Sequence, residues 1–384
     1  MNNFLKVVGI SFGSILLVLL LIYILDYEYV LRGARITYLN GHTTAYISDY
    51  HEFDNRIIEA GDTGNEWLKH LNYNEVEPTK ALEEINKDLK TVAFLVVKND
   101  SIWFEKYYND YTPPIRSNSF SMAKSLVVAM LGKAIMQGHI ESLEQPVAEF
   151  FPQFDERLKV GDLASMASGL NWDENYYNPF GMTARAYYDN NIRDQILKLE
   201  VTETPGKEFK YLSGNTQLLG MVLEEATGQI LSEYLSENFW KPLGMQSNAF
   251  WQLDSEESGM EKAYCCIASN ARDFARFGKL FKNKGVWEDQ QLLNANFVEN
   301  MTKPRFKDNP EYGYGFWLSD YMEKEIFYMR GVQGQYVIMI PEDDLVIVRL
   351  GEKFIRRKGD EQHSPDFFRY INETYKMLNN ASKN

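Results

Sequence analysis

Ser121 and Lys124 stand three residues apart in Asn118-Ser119-Phe120-Ser121-Met122-Ala123-Lys124-Ser125, the one Ser-x-x-Lys of this 384-residue chain. A serine hydroxyl is a weak nucleophile until a base takes its proton. Residues three apart share a helix face, so this spacing aims the amine at the hydroxyl. A lysine can act as that base when burial and neighbouring charge lower its pKa. A helix N-terminus beside Ser121 also favours developing negative charge. Residue types this common produce such a motif about once by chance in a chain of this length. A helix cap beside a solvated lysine is the bland alternative.

The elements that must position the pair follow from hydrophobic period. Val92–Val97 is an apolar strand, and Ile102–Tyr108 is its hairpin partner across the Lys98–Ser101 turn. From Ala123 apolar residues recur every three or four positions to Ile135, and Gly138 stops that helix. Residues 139–290 are mostly helical. Short helices are expected at 163–170, 216–227 and 271–282, with a polar, aromatic loop over Asn171–Gly181. After residue 310 the period falls to two, with strands at 312–317, 327–330, 336–340 and 345–350. Pro365–Leu378 is a terminal helix. Strands at both ends and helices between them predict an α+β fold: an antiparallel sheet flanked by helices, with a helical insertion beside it. A cleft between the two parts is the natural place for a site.

Three further segments bear on Ser121: Phe209-Lys210-Tyr211-Leu212-Ser213-Gly214-Asn215, Arg330-Gly331-Val332-Gln333-Gly334-Gln335, and Ser168-Gly169-Leu170-Asn171-Trp172-Asp173-Glu174. In order and spacing these resemble the serine hydrolases of the class C β-lactamase and penicillin-recognising superfamily. The closer likeness is to its esterase and 6-aminohexanoate-dimer hydrolase branch. The resemblance covers roughly residues 80–380 and implies a β-lactamase/transpeptidase-like fold.

Ser121 and Lys124 match the family Ser-x-x-Lys, Tyr211 the tyrosine of its Tyr-x-Asn element, and Val332-Gln333-Gly334 its Lys-Thr-Gly element. The resemblance implies acyl transfer with catalytic Ser121, Lys124 and Tyr211; either Lys124 or Tyr211 is the base. It implies an oxyanion hole from the N–H groups of Ser121 and Gln335. Ser213, Asn215, Gln333, Gly334, Trp172 and Asp173 would line the substrate pocket. Two departures stand out. Val332 removes the third-motif lysine, and Ser213 stands where asparagine is usual. Both favour an ester or amide substrate over a β-lactam. The alternatives are a penicillin-recognising D-Ala-D-Ala peptidase or β-lactamase, and a catalytically silent envelope-binding module. As isolated residues, Asn215 reads as a helix cap, Glu174 as a solvated loop acid, and Asp273 with Arg276 as a surface ion pair.

Bulk properties exclude other classes. The net charge of -14 disfavours nucleic acid as a partner. The five histidines form no zinc-ligand spacing, so neither a metal nor another cofactor is expected. The only cysteines, Cys265 and Cys266, are neighbours and cannot build a long-range disulfide framework. Val7–Leu25 is uncharged and long enough to cross a bilayer. A cleaved signal peptide is the rival reading, but Leu-Ile-Tyr-Ile-Leu-Asp lacks a small-residue cleavage site. Gly9-Ile10-Ser11-Phe12-Gly13 matches a nucleophile-elbow pattern, yet it sits inside this apolar helix and not between a strand and a helix. The expected units are therefore an anchor over 1–25, a juxtamembrane extension over 26–80 and a hydrolase domain over 81–384. Lys6 ahead of the span favours an extracytoplasmic, periplasmic domain acting on a small-molecule ester or amide or on cell-envelope material. Arg32 and Arg35 lie close on the other side.

Overall fold

The computed structural model of the chain describes residues 2–61, 64–359 and 361–382. The outer bounds of the expected units, residues 1 and 384, lie outside them. Among the described residues the strands are β1 (Asn55–Ile58), β2 (Thr91–Lys98), β3 (Ser101–Tyr107), β4 (Ser117–Asn118), β5 (Ala249–Gln252), β6 (Ile267–Ser269), β7 (Val286–Trp287), β8 (Gln290–Gln291), β9 (Trp317–Ser319), β10 (Ile326–Gly331), β11 (Gln335–Ile340) and β12 (Leu345–Gly351). A six-stranded antiparallel sheet runs β3-β2-β12-β11-β10-β9. The expected hairpin is β2–β3, and β12 pairs with β2, so the two ends of the body meet in one sheet.

Both faces of this sheet are covered. Along β2, Ala93, Leu95 and Val97 enter one core while Phe94 and Val96 enter the other, as the two-residue period requires. Helix Ala271–Lys282 covers the first face. Gly278 permits its approach, since a Cβ there would lie 2.5 Å from Val346 Cγ1. Helices Lys80–Asp88 and Pro365–Ala381 cover the second face through Leu82, Ile85, Phe367, Tyr370 and Ile371. Each fully buried side chain of this size contributes roughly 1.5–3 kcal/mol.

Several expectations are corrected. Residues 139–290 hold β5, β6 and the β7–β8 hairpin besides helices, and a second sheet runs β1-β5-β6-β4. The 26–80 extension is woven into the body: helix Glu28–Tyr38 precedes β1, which pairs with β5. The helix expected over 163–170 runs Val160–Ala164. Asp162 accepts the Lys159 N–H at 2.9 Å and starts it early. Met166 and Gly169, both at positive φ, follow its end. The alternation at 312–317 yields a strand only from Trp317, because Gly315 turns the chain at φ 77. Cys265 and Cys266 are bonded to each other.

Asp273 and Arg276 are not on the surface. Both are buried, 3.9 Å apart. The Asp273 carboxylate accepts the Gln246 N–H at 2.8 Å and the Asn270 amide at 2.7 Å, and Arg276 donates to the Leu243 carbonyl at 3.0 Å. Together they tie the 243–247 turn to the helix. Asp273→Ala should therefore cost about 3 kcal/mol by leaving Arg276 unpaired and the turn amide uncapped. Urea unfolding should show this loss. A change within experimental error would mean that the pair does not support the turn.

Candidate active site

Ser121 lies in a single 3-10 turn, Phe120–Met122, that leads into helix Ala123–Gln137. Phe120 holds φ 45, a conformation that a side chain of this size rarely adopts and that needs external support. That support is dense. The Phe120 N–H donates to Asn118 Oδ1 at 2.9 Å, and Asn118 Nδ2 donates to buried Asp49 at 2.9 Å. Asp49 also accepts from Tyr187 and Gln252. Ser119 exchanges hydrogen bonds with Ile267 of β6. From the other side Gly331 ends β10, where a Cβ would lie 2.3 Å from the Ser119 carbonyl oxygen. Only glycine allows that approach.

Lys124 is buried directly below Ser121. Its Nζ meets three oxygens: Ser121 Oγ at 3.1 Å, Ser213 Oγ at 3.2 Å and the Tyr264 carbonyl at 2.8 Å. An ammonium has three N–H groups for these acceptors; the neutral amine has a lone pair to offer Ser121. Burial pushes Lys124 down to about 8, against an opposing pull from Glu174. Tyr211 borders the pair, with Lys124 Nζ 5.2 Å from its ring centroid. Burial pushes Tyr211 up to about 12, partly offset by a hydrogen bond with Ser121 and by the charge of Arg330. Tyr312 and Trp317 enclose its ring at centroid distances of 5.9 and 5.3 Å. A hydroxyl, a desolvated amine and a neutral phenol thus converge, which is the arrangement that acyl-transfer acid–base work requires.

The other expected residues divide. Ser213 begins helix Ser213–Thr227 and joins the site through Lys124. Trp172 packs on Gly214 and donates its indole N–H to Glu174 at 2.6 Å. Gly334, at φ 77, and Gln335 form the turn into β11, paired opposite Gly331 and beside the Ser121 turn. The Gln335 side chain is buried on Gly351, leaving only its backbone for the site. Arg349 holds this turn from below, donating to the Gln333 and Gly334 carbonyls at 2.7 and 2.9 Å.

Three of the expected pocket residues point elsewhere. Asn215 is buried inside the helix and does not cap it; its oxygen accepts from Ser168 at 2.5 Å, so it braces the 166–168 segment. The Gln333 amide is turned to the Ala45 carbonyl. Asp173 faces solvent, and its carboxylate has no hydrogen-bond partner among the described residues.

The acid at the site is its neighbour. Glu174 accepts the Ser213 N–H at 2.6 Å, the Ser213 hydroxyl at 2.7 Å, the Trp172 indole and the Tyr176 hydroxyl. It completes a chain from Lys124 through Ser213. Nothing in two adjacent acids tells which one a loop turns inward.

A family model described as Beta-lactamase matches residues 75–364. The chain is 27% identical over 294 residues to 6-aminohexanoate-dimer hydrolase of Paenarthrobacter ureafaciens, covering 70% of this chain and 74% of that one. A solved structure assigned as a 6-aminohexanoate-dimer hydrolase from Bacillus anthracis aligns with a TM-score of 0.70 at 20% identity, over 93% of this chain and 95% of that one. D-amino acid amidase from Ochrobactrum anthropi SV3 aligns at a TM-score of 0.59 and 17% identity, over 79% of this chain and 99% of its own. These two structures share the fold.

The Glu174 carboxylate raises the Lys124 pKa by stabilising the ammonium. Glu174→Gln removes that charge, so Lys124 should titrate lower than about 8. NMR of protein carrying 13C-labelled lysine would read the shift. An unchanged or higher midpoint would disprove the coupling.

Proposed function

The chain belongs to the beta-lactamase family, and from that premise we propose that it is a membrane-anchored serine hydrolase cleaving an ester or amide through a Ser121 acyl-enzyme. The observation that carries this reading is the buried Lys124 amine 3.1 Å from the Ser121 hydroxyl. Neutral Lys124 takes the Ser121 proton as the hydroxyl attacks the carbonyl. Tyr211, protonated throughout the neutral range because of its raised pKa, hands a proton to the leaving group. The N–H groups of Ser121 and Gln335 hold the oxyanion; water then attacks the acyl group and gives its proton to the Tyr211 phenolate, while Lys124 returns its proton to Ser121 Oγ as that bond breaks. Ser213, Trp172 and the 332–334 turn border the acyl pocket. No described side chain of the 21-residue apolar stretch Phe4–Ile24 is buried. At 1.5 Å per residue it reaches about 30 Å, the thickness of a bilayer core. A signal sequence would have the same character, and intact mass of the membrane-bound protein separates the two.

One observation favours a second reading, a penicillin-recognising peptidase or β-lactamase. Val332 carries no charge, but Arg330 and Arg357 both act on Tyr211 and supply cationic character that a substrate carboxylate would use. Turnover of nitrocefin or a stable β-lactam adduct would support this second reading.

Fluorophosphonate labelling should occur in the native protein and vanish in Ser121→Ala; an unlabelled native protein would sink the proposal. With Lys124 as base, kcat/KM should climb about tenfold per pH unit below its pKa and level off above about 8. A flat profile from pH 6 to 9 would exclude Lys124 as base. Tyr211→Phe should lower kcat by roughly 100-fold or more while labelling persists.

A further inference from the structure

The membrane-facing helix joins the body beside the pocket loop. Helix Asn2–Ile24 ends three residues before helix Glu28–Tyr38. Within that short link, Asp26 is paired with Arg185, whose guanidinium also donates to the Asp26 carbonyl at 2.8 Å. The Tyr27 ring meets Phe180 edge-on at 5.6 Å. Helix Glu28–Tyr38 is seated on helix Met182–Tyr188, with Gly33 against the Tyr188 ring. The segment 171–188 therefore does two things: it supplies Trp172, Glu174 and Tyr176 to the site, and it receives the end of the apolar helix.

The outer surface here has a distinct composition. Tyr177 is 78% exposed and Phe180 61% exposed. Leu31, Arg35 and Tyr38, spaced to share one helix face, are exposed as well. Against Tyr177 lies Arg356, 5.7 Å from the ring centroid. It belongs to a loop whose Lys353, Arg356, Arg357 and Lys358 are all exposed. In a chain of net charge -14 this is a concentrated cationic stretch. The same loop borders the site, because the Lys353 carbonyl and Phe354 lie against Gly334. Exposed aromatics beside basic residues, joined to an apolar span, suit the headgroup layer of a membrane.

Resting on the anchoring read above, we propose that the mouth of the site opens onto the bilayer surface. Tyr177 and Phe180 enter the headgroup layer, and the basic loop 353–358 pairs with the phosphates of anionic lipids. An acyl compound resident in that leaflet then reaches Ser121 without crossing bulk water.

The test uses the full chain in nanodiscs of phosphatidylcholine, with or without phosphatidylglycerol. Photo-crosslinking p-benzoylphenylalanine replaces Tyr177 or Phe180 in separate variants. Met136, exposed at the opposite end of the nucleophile helix, serves as the control. Lipid adducts at 177 and 180 should exceed those at 136 several-fold, and should rise further with phosphatidylglycerol. The Arg356→Glu/Lys358→Glu variant should lose that rise. Protein retained in the discs with adducts no higher than at 136 overturns the proposal and leaves the anchor intact. Chain that does not stay with the discs, or that lacks its first 25 residues by intact mass, overturns the anchor itself. Adducts equal in neutral and anionic discs overturn the pairing of the basic loop with phosphates.

Discussion

Lys124 is taken out of water and set against three neutral oxygens, those of Ser121, Ser213 and Tyr264. None of them carries a charge that would hold the ammonium. Moving the pKa from 10.5 to about 8 corresponds to roughly 3 kcal/mol of lost preference for the charged form. That cost has a consequence for stability as well as for chemistry. Between those two pH values the unfolded chain keeps a proton that the folded chain sheds, so folding gains as pH rises through the window. Glu174 sits one hydrogen bond further out, beyond Ser213, and limits how far the amine falls.

A buried amine is useful only if the hydroxyl above it stays in place, and the surrounding structure serves that end. Phe120 is held at positive φ by side chains from four separate stretches of the chain. Asn118 receives the amide, Asp49 holds Asn118, and Tyr187 and Gln252 hold Asp49. On the sheet side, Gly331 admits the turn and Arg349 fixes the 333–334 carbonyls. Both sheets therefore converge on one strained turn. The segment after the apolar helix, which has no evident chemistry of its own, contributes Asp49 and so takes part in holding the turn that carries Ser121.

Charge is unevenly distributed around this centre. The chain is acidic as a whole, yet Arg330, Arg356, Arg357 and Lys353 gather on the 330–358 side of the site. Arg330 is clamped over Trp317, 3.3 Å from the ring centroid, and donates to the Gln362 carbonyl at 2.6 Å. It is a fixed positive charge beside Tyr211. Val332 itself is uncharged, yet this side of the site is not neutral; the positive charge comes from neighbouring positions.

Sequence alone sufficed for the features set by local rules. Period two and period three-to-four patterns located the β2–β3 hairpin, β10 to β12, helix Ala123–Gln137 with its Gly138 stop, and helix Ala271–Lys282. The three-residue spacing put Lys124 within reach of Ser121; the burial that turns its amine onto the hydroxyl comes from the packing around it. What lay beyond reach depended on partners far along the chain. The short strands of the second sheet have two to four residues each, too few for a period to show. Asp273 with Arg276 looked like a solvated pair until the 243–247 turn covered them. Asp173 and Glu174 are equivalent in composition, and only the packing of Trp172 on Gly214 turned the second one inward. Asn215 and Gln333 carry groups fit for a pocket, but Ser168 and Ala45 claimed them. The residue types determined which chemistry was available; tertiary structure decided which groups lose water and face Ser121, since desolvation depends on neighbours that no local window contains.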